Sequence, residues 1–232
     1  MMKRSAALFI IMLLVTGITA GQERETRNLK GFDRIGFGIS GNLTIKIGPQ
    51  FSVALEGNRR DLEMVETEIS GDKLIIRQRN WRFRFDEKVN VYITLPELEG
   101  LSVSGSGNAE IADDIRDADD LDLSVSGSGK LITAGIVADE FNCSISGSGD
   151  VIIGSGGEAD RGEISISGSG GYRGEGFEID HLSVRVSGSG SCYCKAGDSL
   201  QASISGSGNV TYKGNPRIDA RVSGSGKVRS AM

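Results

Sequence analysis

Between Arg77 and Phe85 cations alternate with aromatic rings: Arg77, Arg79, Trp81, Arg82, Phe83, Arg84 and Phe85. Guanidinium groups neutralise carboxylates or phosphates, and flat rings offer faces for stacking, so this pattern suits the grip of an anionic glycan or a nucleic-acid strand. Arg77, Arg79, Trp81, Arg82, Phe83 and Arg84 are therefore the candidate ligand-binding residues. The plainer alternative is an amphipathic strand or cap whose aromatics cover the end of a core while the arginines stay in water.

Elsewhere the residue types argue against chemistry. Asp113, Asp114, Asp117, Asp119 and Asp120 are dense enough to suggest calcium, but they fall between two repeats and are expected to form a solvated loop. His181 is the sole histidine, so no serine has an evident base. Three cysteines, Cys143, Cys192 and Cys194, with that one histidine do not give the paired spacing of a zinc site. Gly36-Phe37-Gly38-Ile39-Ser40-Gly41 matches the dinucleotide glycine pattern. That chemistry needs the last glycine to open a helix whose amino end holds pyrophosphate, whereas Asn42-Leu43-Thr44-Ile45 reads as strand. No catalytic, cofactor or metal residue is expected, and a net charge of -5 argues against a nucleic-acid partner.

The elements that must carry these residues are set by a repeat. Ser-Gly-Ser-Gly begins at Ser104, Ser126, Ser146, Ser167, Ser187, Ser205 and Ser223, at spacings of 22, 20, 21, 20, 18 and 18. One position before each copy stand Val103, Val125, Ile145, Ile166, Val186, Ile204 and Val222. Three before stand Leu101, Leu123, Cys143, Ile164, Val184, Ala202 and Ala220, with polar residues between, which is the alternation of a strand with one buried face. Five after the first serine stand Ala109, Leu131, Val151, Tyr172, Cys192, Val210 and Val228. Continued parity turns the serines outward and the glycines inward, at a corner too tight for a β-carbon. Cys143 and Cys192 occupy apolar slots of this frame and Cys194 shares their face, so all three are expected in the core.

A period of about 20 residues, with strands broken by a tight turn, predicts one rung of a parallel β-helix. Met1 to Gly21 combine a basic start, the apolar run Ala6 to Val15 and a small-residue exit, as a secretory signal peptide does. Residues 22–31 are expected to be a linker and 32–232 a single solenoid domain. Within it, 32–100 supply less regular first rungs and a cap, and 101–232 the repeats. Strands are predicted over Phe32 to Phe37, Asn42 to Ile47, Ser52 to Leu55, Lys73 to Arg79 and Lys88 to Leu95, with Leu62 to Thr67 either a helical turn or another strand. No stretch after the leader is apolar enough to span a bilayer.

Phe32-Asp33-Arg34-Ile35 leading to Gly41-Asn42-Leu43-Thr44-Ile45, then Ile69-Ser70-Gly71-Asp72-Lys73-Leu74, then Val89-Asn90-Val91-Tyr92-Ile93-Thr94-Leu95-Pro96 running into the repeats, resemble the putative auto-transporter adhesin, head GIN domain family of bacterial envelope proteins. The resemblance implies an all-β, right-handed parallel β-helix-like solenoid, exported to the periplasm, the outer-membrane surface or beyond, chiefly in Bacteroidetes-type bacteria. It brings no catalytic or ligand residues. The expected function is non-enzymatic: adhesion to a surface protein or polysaccharide, with self-association possible for so repetitive a rod. The alternatives are a carbohydrate-active enzyme on the same fold and a self-assembling scaffold.

Overall fold

The computed structural model describes residues 22–231 apart from Trp81 and Ser155. The expected leader over 1–21 lies outside them. The chain opens with β1 (Glu23–Arg27), β2 (Arg34–Gly38), β3 (Gly41–Ile47), β4 (Ser52–Gly57), the short helix α1 (Arg59–Leu62), β5 (Val65–Ser70), β6 (Lys73–Gln78) and β7 (Val89–Leu95). The repeats then give β8 (Gly100–Gly105), β9 (Asn108–Ile111), β10 (Ile115–Gly127), β11 (Lys130–Thr133), β12 (Ile136–Gly147), β13 (Asp150–Ile153), β14 (Gly157–Gly168), β15 (Gly171–Gly188), β16 (Ser191–Gly206), β17 (Asn209–Lys213), β18 (Arg217–Gly224) and β19 (Lys227–Ser230).

These strands form a β-helix. One parallel stack leads into the Ser-Gly-Ser-Gly corner, in the order β6, β2, β8, β10, β12, β14, then the second halves of β15 and β16, then β18. The other leaves the corner, in the order β7, β3, β9, β11, β13, the first halves of β15 and β16, β17 and β19. Like positions sit above one another: Leu123 pairs with Leu101 on one side and Cys143 on the other, Val125 with Val103 and Ile145. The inward rows are buried as the alternation predicts up to Ile204 and Val210, whereas Ala220 and Val222 of the last rung are exposed and Val228 is half-buried; Phe141, Tyr172 and Phe177 fill the middle of the core.

Only the second glycine of each copy turns inward as expected: Gly129 is buried while Gly127 stays partly exposed at the surface, and the two answer to separate constraints. Gly127 has φ 120°, which only glycine adopts freely, and a β-carbon there would stand 2.4 Å from the Gly105 carbonyl oxygen one rung below. Gly129 faces the core, where a β-carbon would stand 2.3 Å from the Gly107 carbonyl oxygen and 3.1 Å from Val103 Cγ1. The close approach lets the Ser128 amide donate to the Gly105 carbonyl at 2.8 Å, and Ser148, Ser169, Ser189 and Ser207 repeat that bond.

Three local expectations change. Residues 22–31 are not merely a linker, since β1 pairs antiparallel with β4, which pairs antiparallel with β7. Leu62 to Thr67 supplies both alternatives, the end of α1 and the start of β5, which pairs antiparallel with β6. The aspartate-rich stretch is not a loop. Asp117, Asp119 and Asp120 belong to β10, where Asp117 takes φ 58° at a shift in register between Ile115 and Ala118. Asp113 and Asp114 hold the preceding corner, accepting bonds from the amides of Ile47 and Gly135.

Candidate functional site

The segment that alternates cations with aromatics is a loop joining β6 to β7, residues 79–88, at the amino-terminal end of the stack. Its conformation follows from one buried carboxylate. Asp61, the one acidic residue of α1, is 0 % exposed and accepts from the amides of Asp86 and Glu87 at 3.0–3.2 Å and from the Asn58 side chain at 2.6 Å. Asn58 caps α1 by accepting from the Asp61 amide at 2.8 Å. The Arg60 guanidinium lies over the Phe83 ring, 5.1 Å from its centroid, and holds Asp86 at 2.6 Å. Phe83 meets Phe85 edge to face at 5.7 Å, and Phe85 packs against the core. The Gln78 amide donates to the carbonyls of Asn80 and Phe83.

The expected ligand-binding set divides. Arg77 and Arg79 turn away to β5, where Arg77 pairs with Glu66 at 3.2 Å and Glu68 at 2.9 Å, and Arg79 with Glu66 at 3.2 Å. The hydrogen bond from Arg77 holds the Glu66 carboxyl below its ordinary range. Trp81 lies outside the described residues. Arg82, Phe83 and Arg84 line a cavity of about 760 Å³, together with Phe85 and Lys88 from the loop and Ser40, Gly41 and Ser106 from the neighbouring corners. Ser40 and Ser106 share a hydrogen bond of 2.8 Å across two rungs. Asp86 and Glu87 also border the cavity, but Asp86 is already held by Arg60. Ser40 and Ser106 are the members that sequence spacing could not supply, because stacking alone brings residues so far apart together, whereas Lys88 follows in the same loop. The available signal was the repeat itself, since Ser106 stands in its first copy and Ile39-Ser40-Gly41-Asn42 resembles a degenerate one.

The remaining candidates sit in structural roles. The glycine pattern of 36–41 spans β2 and the start of β3, with no helix after Gly41. His181 bonds Ser199 on the outer face at 3.1 Å. Cys143, Cys192 and Cys194 are buried and unbridged. Burial pushes the Cys143 thiol well up, and the contact with Cys194 followed by burial does the same to Cys192. Among the described residues no three histidine, cysteine, aspartate or glutamate side chains are placed to hold a metal ion.

The family model described as "Putative auto-transporter adhesin, head GIN domain" matches residues 31–216. The chain belongs to this family. Solved structures similar to this head GIN domain include a putative adhesin from Bacteroides fragilis, 22% identical with a TM-score of 0.85 over 92% of this chain and 98% of that one. A putative adhesin from Parabacteroides distasonis is 25% identical with a TM-score of 0.70, over 90% and 97%. A putative lipid binding protein from the same species is 21% identical with a TM-score of 0.71, over 91% and 97%. Among curated proteins none matches. No helix among the described residues is long and apolar enough to cross a membrane.

Proposed function

We propose that this head GIN domain is a non-enzymatic recognition module of the cell envelope that binds an acidic polysaccharide in the cavity beside loop 79–88. The observation that carries the reading is the pairing state of the cavity's cations. Among the described residues Arg84 and Lys88 are exposed and outside any ion pair, while Asp86 is neutralised by Arg60. Cations left without a protein partner beside hydroxyls and partly exposed rings suit an acidic sugar, whose carboxylate takes charge and hydrogen bonds while its C–H face packs on an aromatic ring. The non-enzymatic part is supported by the adhesin description of the family. Export to the periplasm or cell surface is part of the same proposal, supported by the leader-like residues 1–21.

A glycan array probed with the chain from Gln22 tests it. Binding to uronic-acid polymers that is lost in Arg84→Ser/Lys88→Ser, and kept in Arg77→Ser/Arg79→Ser, is the expected result. Binding abolished by the second pair and not by the first would move the site to β5 and β6. A chain that binds no glycan would replace polysaccharide by a protein ligand.

A further inference from the structure

The two ends of the stack treat their open edges differently. At the amino-terminal end β1 is the outermost strand of its stack, and its Glu23, Glu25 and Arg27 stand opposite Gly57, Leu55 and Val53, on the core side of the sheet. Charges on the core-side row of an edge strand discourage another strand from adding there. At the carboxy-terminal end the core-side row of β18 carries no charge among the described residues. Ile218, Ala220 and Val222 of β18 continue the core row of Leu200, Ala202 and Ile204. Ile218 is nevertheless 46% and Val222 44% exposed, and the outer edge of β18 has no partner among the described residues.

We propose that β18 is the contact surface of a closed dimer, in which two copies of this chain meet tail to tail with their β18 strands antiparallel. The sequence of the strand selects the second copy as occupant, because it is self-complementary in one register. Directly opposed residues of an antiparallel pair share a face, and opposite charges there attract while like charges repel. Centred on Ala220, the pairing sets Ile218 against Val222 of the second copy on the core side, and Asp219 against Arg221 on the outer side, twice over by symmetry. A centre one residue earlier opposes Asp219 to itself and Arg217 to Arg221. A centre one residue later opposes Arg221 to itself. Asp219 and Arg221 now pair only with each other along one strand, at 3.5 Å and largely exposed, so both can exchange partners. Such an isologous contact closes at two copies. The flanking β19 presents Lys227 and Arg229, like charges that leave the register to β18.

Sedimentation velocity across a range of concentrations tests this, independently of any ligand. The unaltered chain is expected to form a dimer and nothing larger. Asp219→Arg and Arg221→Asp, both at exposed positions, should each weaken it roughly tenfold or more, and the double swap D219R/R221D should restore it. A monomer at every concentration, a dimer indifferent to the single swaps, an unrescued double swap, or growth beyond the dimer would each overturn the proposal.

Discussion

Asp61 and the buried thiols show how single side chains set local order. The buried Asp61 carboxylate accepts from the amides of Asp86 and Glu87 and from the Asn58 side chain, so Asp61→Ala removes three bonds to a charged acceptor at once and should cost about 3 kcal/mol. Chemical denaturation measures that loss, and faster amide exchange confined at first to 82–88 would locate it. The thiols make a pH prediction. Cys143 and Cys192 have folded-state pKa values raised above the unfolded value of about 8.5, so the folded chain keeps its protons where the unfolded chain sheds them. Their contribution is full below about pH 8.5 and declines above it, by up to about 1.4 kcal/mol per pH unit for each thiol. Tyr172, also raised by burial, adds to the decline above about pH 10. Cys143→Val, which keeps an apolar side chain of similar size between the stacked Leu123 and Ile164, should make the decline between about pH 8.5 and 10 shallower. An unchanged alkaline slope would assign it to other groups.

The element that sets the architecture is the corner. Ser128 is exposed and bonds the next rung through its amide, not its hydroxyl, whereas Gly129 sits where any β-carbon meets a backbone oxygen. Ser128→Ala should therefore change stability by less than about 0.5 kcal/mol, and Gly129→Ala should lower it by roughly 2–3 kcal/mol. Equal effects in thermal melts would mean that the hydroxyl ladder stabilises the corner as much as the close approach does. This element was legible in the sequence because a fixed period repeats its polar, apolar and glycine positions seven times. The amino-terminal rungs were less so. Alternation identifies β2, β3, β6 and β7 as half-buried strands, but a strand's own pattern does not record which rung lies beside it. The chain lays down β2 and β3 first, folds back through β4, α1 and β5, and sets β6 and β7 outside them before β8 closes on β2. The candidate site was half legible for the same reason. Arg82, Phe83 and Arg84 stand in one run, but the acids of β5 that claim Arg77 and Arg79 become neighbours only through the antiparallel hairpin.

At the scale of the molecule, a β-helix is a row of rungs in which each touches only the next, so stability is a sum of neighbouring interfaces and need not be uniform along the row. The amino-terminal end is closed by antiparallel β1, β4 and β5 and by the Asp61 anchor. Among the described residues the carboxy-terminal rung is paired on one side only, and every residue of β18 is exposed. Strain or heat should therefore open the row from β18 and β19 inward. In the Asp219→Arg chain, where any tail-to-tail contact is removed, amide exchange of β18 should run roughly a hundredfold faster than that of β12 and β14, equivalent to about 2.7 kcal/mol less opening free energy. Ending the chain before Arg217 should leave β2 to β15 folded and transfer the fast exchange to β16 and β17. Uniform exchange along the rod, with collapse of the whole fold on that truncation, would show instead that the rungs unfold as one cooperative unit, bound together by the aromatic cluster of Phe141, Tyr172 and Phe177 at its middle.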